Sequence, residues 1–142
     1  MAGQFSDTGA KRALDAVTGR ATVSSRTTYL ALLTAAPADA TTDGTISVTE
    51  YGATGYSRQT VTWVAPFVDG TTTQTTTQNT AAITYGPFTA SVTGTITHAA
   101  LVSASSGSTG DLVAWWSLDN SRTPATNDAI TVAAGSLVLN VE

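Results

Sequence analysis

The chain has 142 residues and no cysteine, a single histidine and a single methionine, and only 11% of it is Asp, Glu, Lys or Arg. Without cysteine there is no disulfide framework, no thiol nucleophile and no Cys-based zinc site. One histidine excludes most His-based metal clusters and relays. An average soluble domain is about 25% charged, so this surface is unusually poor in ions. Long apolar runs are missing too. The most apolar stretch, Tyr29 to Ala38, is about half of the roughly 20 residues that span a bilayer, and no membrane partner is expected. Met1-Ala2-Gly3-Gln4-Phe5 has no basic segment leading into an apolar one, so it does not read as a secretory signal.

Hydrophobic residues make up 42% of the chain, the globular norm. Roughly one residue in five is threonine, a β-branched polar residue suited to solvent-facing strand positions. A chain of this length buries roughly two thirds of its unfolded surface and needs no staple. The net charge of −4 argues against nucleic acid, which requires a basic footprint. The positive charges cluster early, with Lys11, Arg12, Arg20 and Arg26 all inside the first 26 residues.

One segment has the period of a helix. Ser6 or Asp7 is placed to cap it, Ala10, Ala13, Leu14 and Val17 follow at i, i+3, i+4 and i+7, and Gly19 stands where a left-handed residue ends a helix. Phe5 is positioned to staple onto Ala10. The stripe is narrow, so the helix needs a sheet or another subunit to lean on. After Arg26 the period becomes two. Strands are expected over 28–34, 46–50, 56–65, 80–85, 87–92, 95–104, 111–118, 129–133 and 136–142, with turn clusters such as Pro37-Ala38-Asp39 and Asp43-Gly44 between them. The fold class is therefore all-β: a jelly-roll-like β-sandwich of about eight strands with one short N-terminal α-helix. The expected division is an N-terminal arm and helix over 1–26 and a β-sandwich domain over 27–142.

Alternation assigns faces. In 56–65, Val61, Trp63 and Ala65 point inward, against Arg58, Thr60 and Thr62. Two strands are apolar on both sides. In 28–34, Leu30 and Leu32 oppose Tyr29, Ala31 and Leu33; in 111–118, Leu112, Ala114, Trp116 and Leu118 oppose Val113 and Trp115. Such strands need cover on both faces, from the helix, from a long loop or from a partner subunit. Thr71 to Thr80 has no apolar residue and reads as a surface loop, the alternative being an edge strand added to a neighbour.

No reaction is written in these residues. His98 shares its expected face with Ile96, Ala100 and Val102 and reads as a packing residue. No G-x-S-x-G elbow, P-loop, EF-hand or dinucleotide fingerprint is present. Asp39, Asp43, Glu50, Asp69, Asp111, Asp119 and Asp128 fall mostly at turns, where carboxylates accept backbone hydrogen bonds. No enzymatic activity, metal or cofactor is expected. Trp115-Trp116 is the unusual pair; with one indole in the core, Trp115 reads as an interface anchor or a sugar platform.

The phrases Thr28-Tyr29-Leu30-Ala31-Leu32-Leu33-Thr34-Ala35-Ala36-Pro37, Gly55 to Trp63, Gly94 to Leu101, Gly110 to Trp116 and Ala134 to Val141, in that order after a helix, resemble a family of small tailed-bacteriophage virion proteins. Its members are described as head decoration (cement) proteins or as tail-fibre-like proteins. The resemblance implies a structural role on the virion, often as a homotrimer. The expectation drawn from it is a capsid decoration protein on the outer capsid surface. It would bind the major capsid protein and copies of itself and stabilise the shell by bridging capsid subunits. A tail or fibre component with a receptor- or carbohydrate-binding role is the alternative. The candidate interface residues are Lys11, Arg12, Arg20, Tyr29, Val113 and Trp115.

Overall fold

The computed structural model describes residues 2–22, 24–38, 44–89 and 94–141. Asp39, Asp43, the far part of the strand expected over 87–92 and the last residue of the strand expected over 136–142 lie outside them. The chain is all-β with one helix. Its elements are β1 (Ala2–Phe5), α1 (Asp7–Val17), β2 (Thr28–Leu33), β3 (Gln59–Val61), β4 (Phe67–Val68), β5 (Thr75–Gln78), β6 (Ile83–Tyr85), β7 (Ile96–Val102), β8 (Leu112–Arg122), β9 (Ile130–Val132) and β10 (Val138–Val141).

Eight strands form one sheet in the order β3-β2-β7-β8-β1-β10-β5-β4, and β6 pairs with β9 in a second, two-stranded sheet. The large sheet curls until its two ends meet. Trp63, just after β3, pairs with Asn79, just after β5. Beside that pair the Thr80 N–H donates to the Thr62 carbonyl at 2.9 Å, and the Val64 N–H to the Gln78 carbonyl at 2.8 Å. The run 59–68 thus belongs to both ends of the sheet and closes it, which removes the long open edge an extended sheet would expose. Opposite walls supply one core: Leu30 and Leu32 from β2, Ala114 and Trp116 from β8, Leu139 from β10, and Tyr85 from β6 are all buried in it.

The two-faced strands sort their side chains nearly as alternation demands. Leu30 and Leu32 enter the main core, while Ala31 and Leu33 enter a second cluster with Ala100, Val102 and Leu112, and Tyr29 and Trp115 pack against it. Ile46, buried, and Val48, half-buried, also belong to that cluster, so the segment preceding Glu50 covers this face from within the chain. Only bridges, at Thr45 and Glu50, mark the strand expected over 46–50. In β8 the expected faces shift. Leu101 pairs with Ala114 but Val102 with Leu112, so Val113 is an extra residue opposite a continuous β7. This bulge moves Leu112 to the face of Trp115 and Val113 to that of Ala114. A second register shift, between Ile96 and His98, puts Ile96 in the main core while Ala100 and Val102 stay in the other cluster.

Three strands lie where no strand was expected: β1, the two-residue β4 and β5. Ala2–Phe5 runs between β8 and β10, antiparallel to the first and parallel to the second. Thr75–Gln78, inside the expected surface loop, pairs with β10 on one side and β4 on the other. Backbone pairing, rather than apolar burial, holds this threonine strand. Arg58 and Ala65 also reverse their expected faces: Arg58 is buried and Ala65 exposed. β3 is only three residues long, so period two does not extend to either residue.

Candidate functional site

The registers define two ends of the curled sheet. The parallel pairing Ala2–Val138 and Gly3–Leu139 brings Phe5, where the chain leaves for α1, level with Val141. The starts of β8 and β2 lie at the same end, since Phe5 pairs with Ala114 and Tyr29 with Val102. At the other end lie the start of β7, the tail of β8, and the β6–β9 sheet.

At the first end α1 is seated on the sheet by its least hydrophobic side. The Ser6 N–H donates to the Val113 carbonyl at 3.0 Å. The Ser6 hydroxyl donates to the Leu112 carbonyl and accepts from the Gly9 N–H at 3.0 Å, capping the helix. A Cβ on Gly9 would lie 2.0 Å from the Val113 carbonyl oxygen, so only glycine lets the helix approach this closely. Thr8 and Gly9 are the buried helix residues. The stripe Ala10, Ala13, Leu14 and Val17 is exposed along its whole length, and Ala10 makes no staple with Phe5, which packs on the core instead. The helix ends as expected at Gly19, with φ of +66°.

Asp111 locks this seat. Its side chain is only 6% exposed and is reached by Arg12 at 2.7 Å from the helix and by Arg26 at 2.6 Å from the following segment. The Gly44 N–H donates to its other oxygen at 3.1 Å. Burial alone would raise the carboxyl pKa. The hydrogen bonds from Arg26, Gly44 and Arg12 outweigh it and hold Asp111 below the ordinary carboxylate value. Arg20 pairs with Asp15 at 2.7 Å on the helix surface.

At the opposite end a groove of about 340 Å³ runs between the tail of β8 and β9. Leu118, Ile130 and Val132 line it together with Asp119, Asn120 and Arg122. A second hollow of about 420 Å³ continues from Arg122 past Thr123, Asp128 and Thr131. Carboxylate, amide, guanidinium and hydroxyl groups beside an aliphatic floor suit a ligand rich in hydroxyls.

The six candidate interface residues divide among three places. Lys11 and Arg12 lie on α1 and Arg20 just beyond its end, all three exposed; Arg12 pairs with Asp111 and Arg20 with Asp15. Val113 lies under the helix and shares a cleft with Arg12 and Arg26. Tyr29 and Trp115 sit on the second apolar cluster, with Trp115 half-buried and its ring 5.7 Å from that of His98. The His98 Nδ1 is 2.8 Å from the Thr97 hydroxyl. Among the described residues no three His, Asp or Glu side chains converge as a metal site would require.

Sequence reasoning missed the buried polar groups that order these ends. Arg58 is enclosed by Glu50 and by the carbonyls of Ala104 and Gly107 at 2.8 and 2.7 Å. The Tyr56 hydroxyl donates to Glu50 at 2.9 Å and accepts from the Leu32 N–H at 3.0 Å. Asn79, 1% exposed, donates to the carbonyls of Ala81 and Ala133 and accepts from the Leu137 N–H. Residue type offers no signal for these, because most of the partners are backbone groups that only the fold brings close.

A family model described as podophage GP4 fiber I protein gp80 matches residues 4–140. No curated protein matches the chain.

Proposed function

The chain belongs to the family of the podophage GP4 fiber I protein gp80, structural proteins of the tailed-phage virion, and from that premise we propose that it is a component of the tail-fibre apparatus. The fibre description of the family, matched over nearly the whole chain, carries this reading over a capsid decoration role. The reading assigns the chain no catalysis. Its work is to hold a rigid β scaffold in place and to present one end to the host. The groove beside Asn120 and Arg122 is the recognition surface in this reading, and its ligand is hydroxyl-rich, of the class of a cell-surface saccharide. A closed sheet suits the task because the binding groups project from a frame with few ways to deform.

Purified particles test the assignment. Gold-labelled antibody against the chain should mark the tail, and the chain should be present in few copies relative to the major capsid protein. Particles carrying Arg122→Ala should keep full heads and adsorb less to host cells. Label over the head, with a copy number that tracks the capsid subunit, would overturn the fibre reading in favour of decoration.

A further inference from the structure

The chain as a whole carries a charge of −4, yet one cleft in it is lined by more cation than anion. The cleft lies between α1 and the stretch around Ala21, Ser24 and Arg26, with a volume of about 380 Å³, at the low end of the range for ligand pockets. Arg12 enters it from the helix and Arg26 from the opposite wall, while Ala13, Ala16 and Val113 supply an apolar lining. The one carboxylate in its wall, Asp15, already holds Arg20 at 2.7 Å.

Arg12 and Arg26 reach the same atom. They lie 2.7 and 2.6 Å from one oxygen of Asp111, whose other oxygen takes the Gly44 N–H. Two positive charges thus share one negative charge, and among the described residues neither arginine has a further partner. A guanidinium carries several N–H donors in a fixed fork, so most of those on Arg12 and Arg26 are unused. The Arg12 side chain is 47% exposed and that of Arg26 33%, which leaves the unused donors open to a ligand. Asp111 also holds both side chains in place. An arginine that grips an anion normally gives up rotamer freedom on binding; here the ion pairs have already removed it, which lowers the cost of capture.

We propose that this cleft is a docking site for an acidic segment of a partner protein. One carboxylate side chain of the segment lies against Arg12 and Arg26, and the aliphatic residues beside it rest on Ala13, Ala16 and Val113. Charge sets the class of partner. An excess of one positive charge at Asp111 is balanced by a single carboxylate, whereas a nucleic acid or other polyanion would be repelled by the net charge of the whole chain. The surroundings set the rest. Ala13 belongs both to the cleft and to the exposed stripe that continues through Leu14 and Val17, 65% and 86% exposed. A free carboxylate would leave that stripe in water, while a polypeptide with apolar residues next to its acidic one covers both. The inference does not depend on where the protein sits in the virion.

Titration of the purified full-length chain with two peptides, followed by amide NMR shifts, tests it. One is acetyl-Ala-Leu-Glu-Leu-Ala-amide, and the other has glutamine in place of the glutamate. The glutamate peptide should bind saturably, shift the signals of Ala16 and Val113, and bind about fivefold more tightly than the glutamine peptide, the ratio expected of a partly exposed ion pair. This comparison needs no variant to fold. Arg26→Gln should abolish the preference, with Arg12 still held by Asp111, and Arg12→Gln should do the same with Arg26 still held. The proposal is overturned by equal binding of the two peptides, by no saturable binding of the glutamate peptide, or by shifts confined to residues outside the cleft. A preference that survives both variants also overturns it. So does inorganic phosphate that displaces the glutamate peptide at equal concentration, which would make the cleft a phosphate site.

Discussion

The two ends of this molecule solve the same problem in different ways. A curled sheet leaves a mouth at each end, and the backbone and side chains there need partners. At the groove end the partners come from the chain itself: the β6–β9 sheet covers the mouth, and Asn79 ties the closing seam to the turn before β10. At the helix end Asp111 holds two arginines, and apolar side chains remain uncovered. One end is closed by the chain's own elements, and at the other Leu14 and Val17 stay exposed. Stability should therefore be concentrated in the first.

Asn79→Ala breaks the closed end and has the largest expected effect. It removes two hydrogen bonds to backbone carbonyls and one from the Leu137 N–H, in a residue 1% exposed. Each lost bond costs about 1 kcal/mol, and buried partners left unpaired cost more, so unfolding stability should drop by about 2–3 kcal/mol. Thermal melts should show a midpoint lower by several degrees. A midpoint within a degree of wild type would mean that the seam is held by backbone pairing alone.

How much of this was legible depended on range in sequence. The helix was readable because its cap, stripe and terminator lie within fifteen residues of one another. Strand β2 was readable on both faces because alternation is a local signal. β1 was not, since Ala-Gly-Gln-Phe has no alternation and its partners lie more than a hundred residues on. β5 was hidden for a related reason: its threonines look like a loop until β10 and β4 are placed beside it. The Val113 bulge leaves no mark in composition, yet it decides which way Leu112 faces. The stripe Ala10, Ala13, Leu14 and Val17 was plain in the sequence. That it points away from its own domain follows from Gly9 and the Val113 carbonyl, which only the fold brings together. The groove at the other end was invisible, because Asn120 and Arg122 meet Ile130 and Thr131 only through the β8 tail.

Asp111 tests how firmly the helix end is held, and its effect depends on pH. Its folded-state pKa lies below the ordinary carboxylate value. The stabilisation is therefore complete above the unfolded-state pKa, about 4, and is lost as pH falls through the lower folded-state value. Asp111→Asn should cost about 1–3 kcal/mol at pH 7, less than a deeply buried ion pair would, because Arg12 is 47% exposed and regains water. Melts of the two proteins should converge as pH falls below about 4. Curves that stay parallel through that range would show that the Asp111 charge is not what seats the helix.

Arg20→Ala sharpens the same comparison from its weakest side. Arg20 and Asp15 are 2.7 Å apart, as close as Arg12 and Asp111, but the Arg20 side chain is 70% exposed. Its pKa is raised, first by the hydrogen bond to Asp15 and then by the charge of Asp15, and water and salt screen both. Distance alone would rank the two pairs as equals. Carboxylate burial hardly separates them, at 14% exposed for Asp15 and 6% for Asp111; the difference is that Asp111 also accepts from the Gly44 N–H and bridges two segments of chain. The expected result is a melting midpoint for Arg20→Ala indistinguishable from wild type at physiological salt, beside a clear shift for Asp111→Asn. Equal shifts for both would mean that the helix is held by its general field of charge and not by one buried clamp.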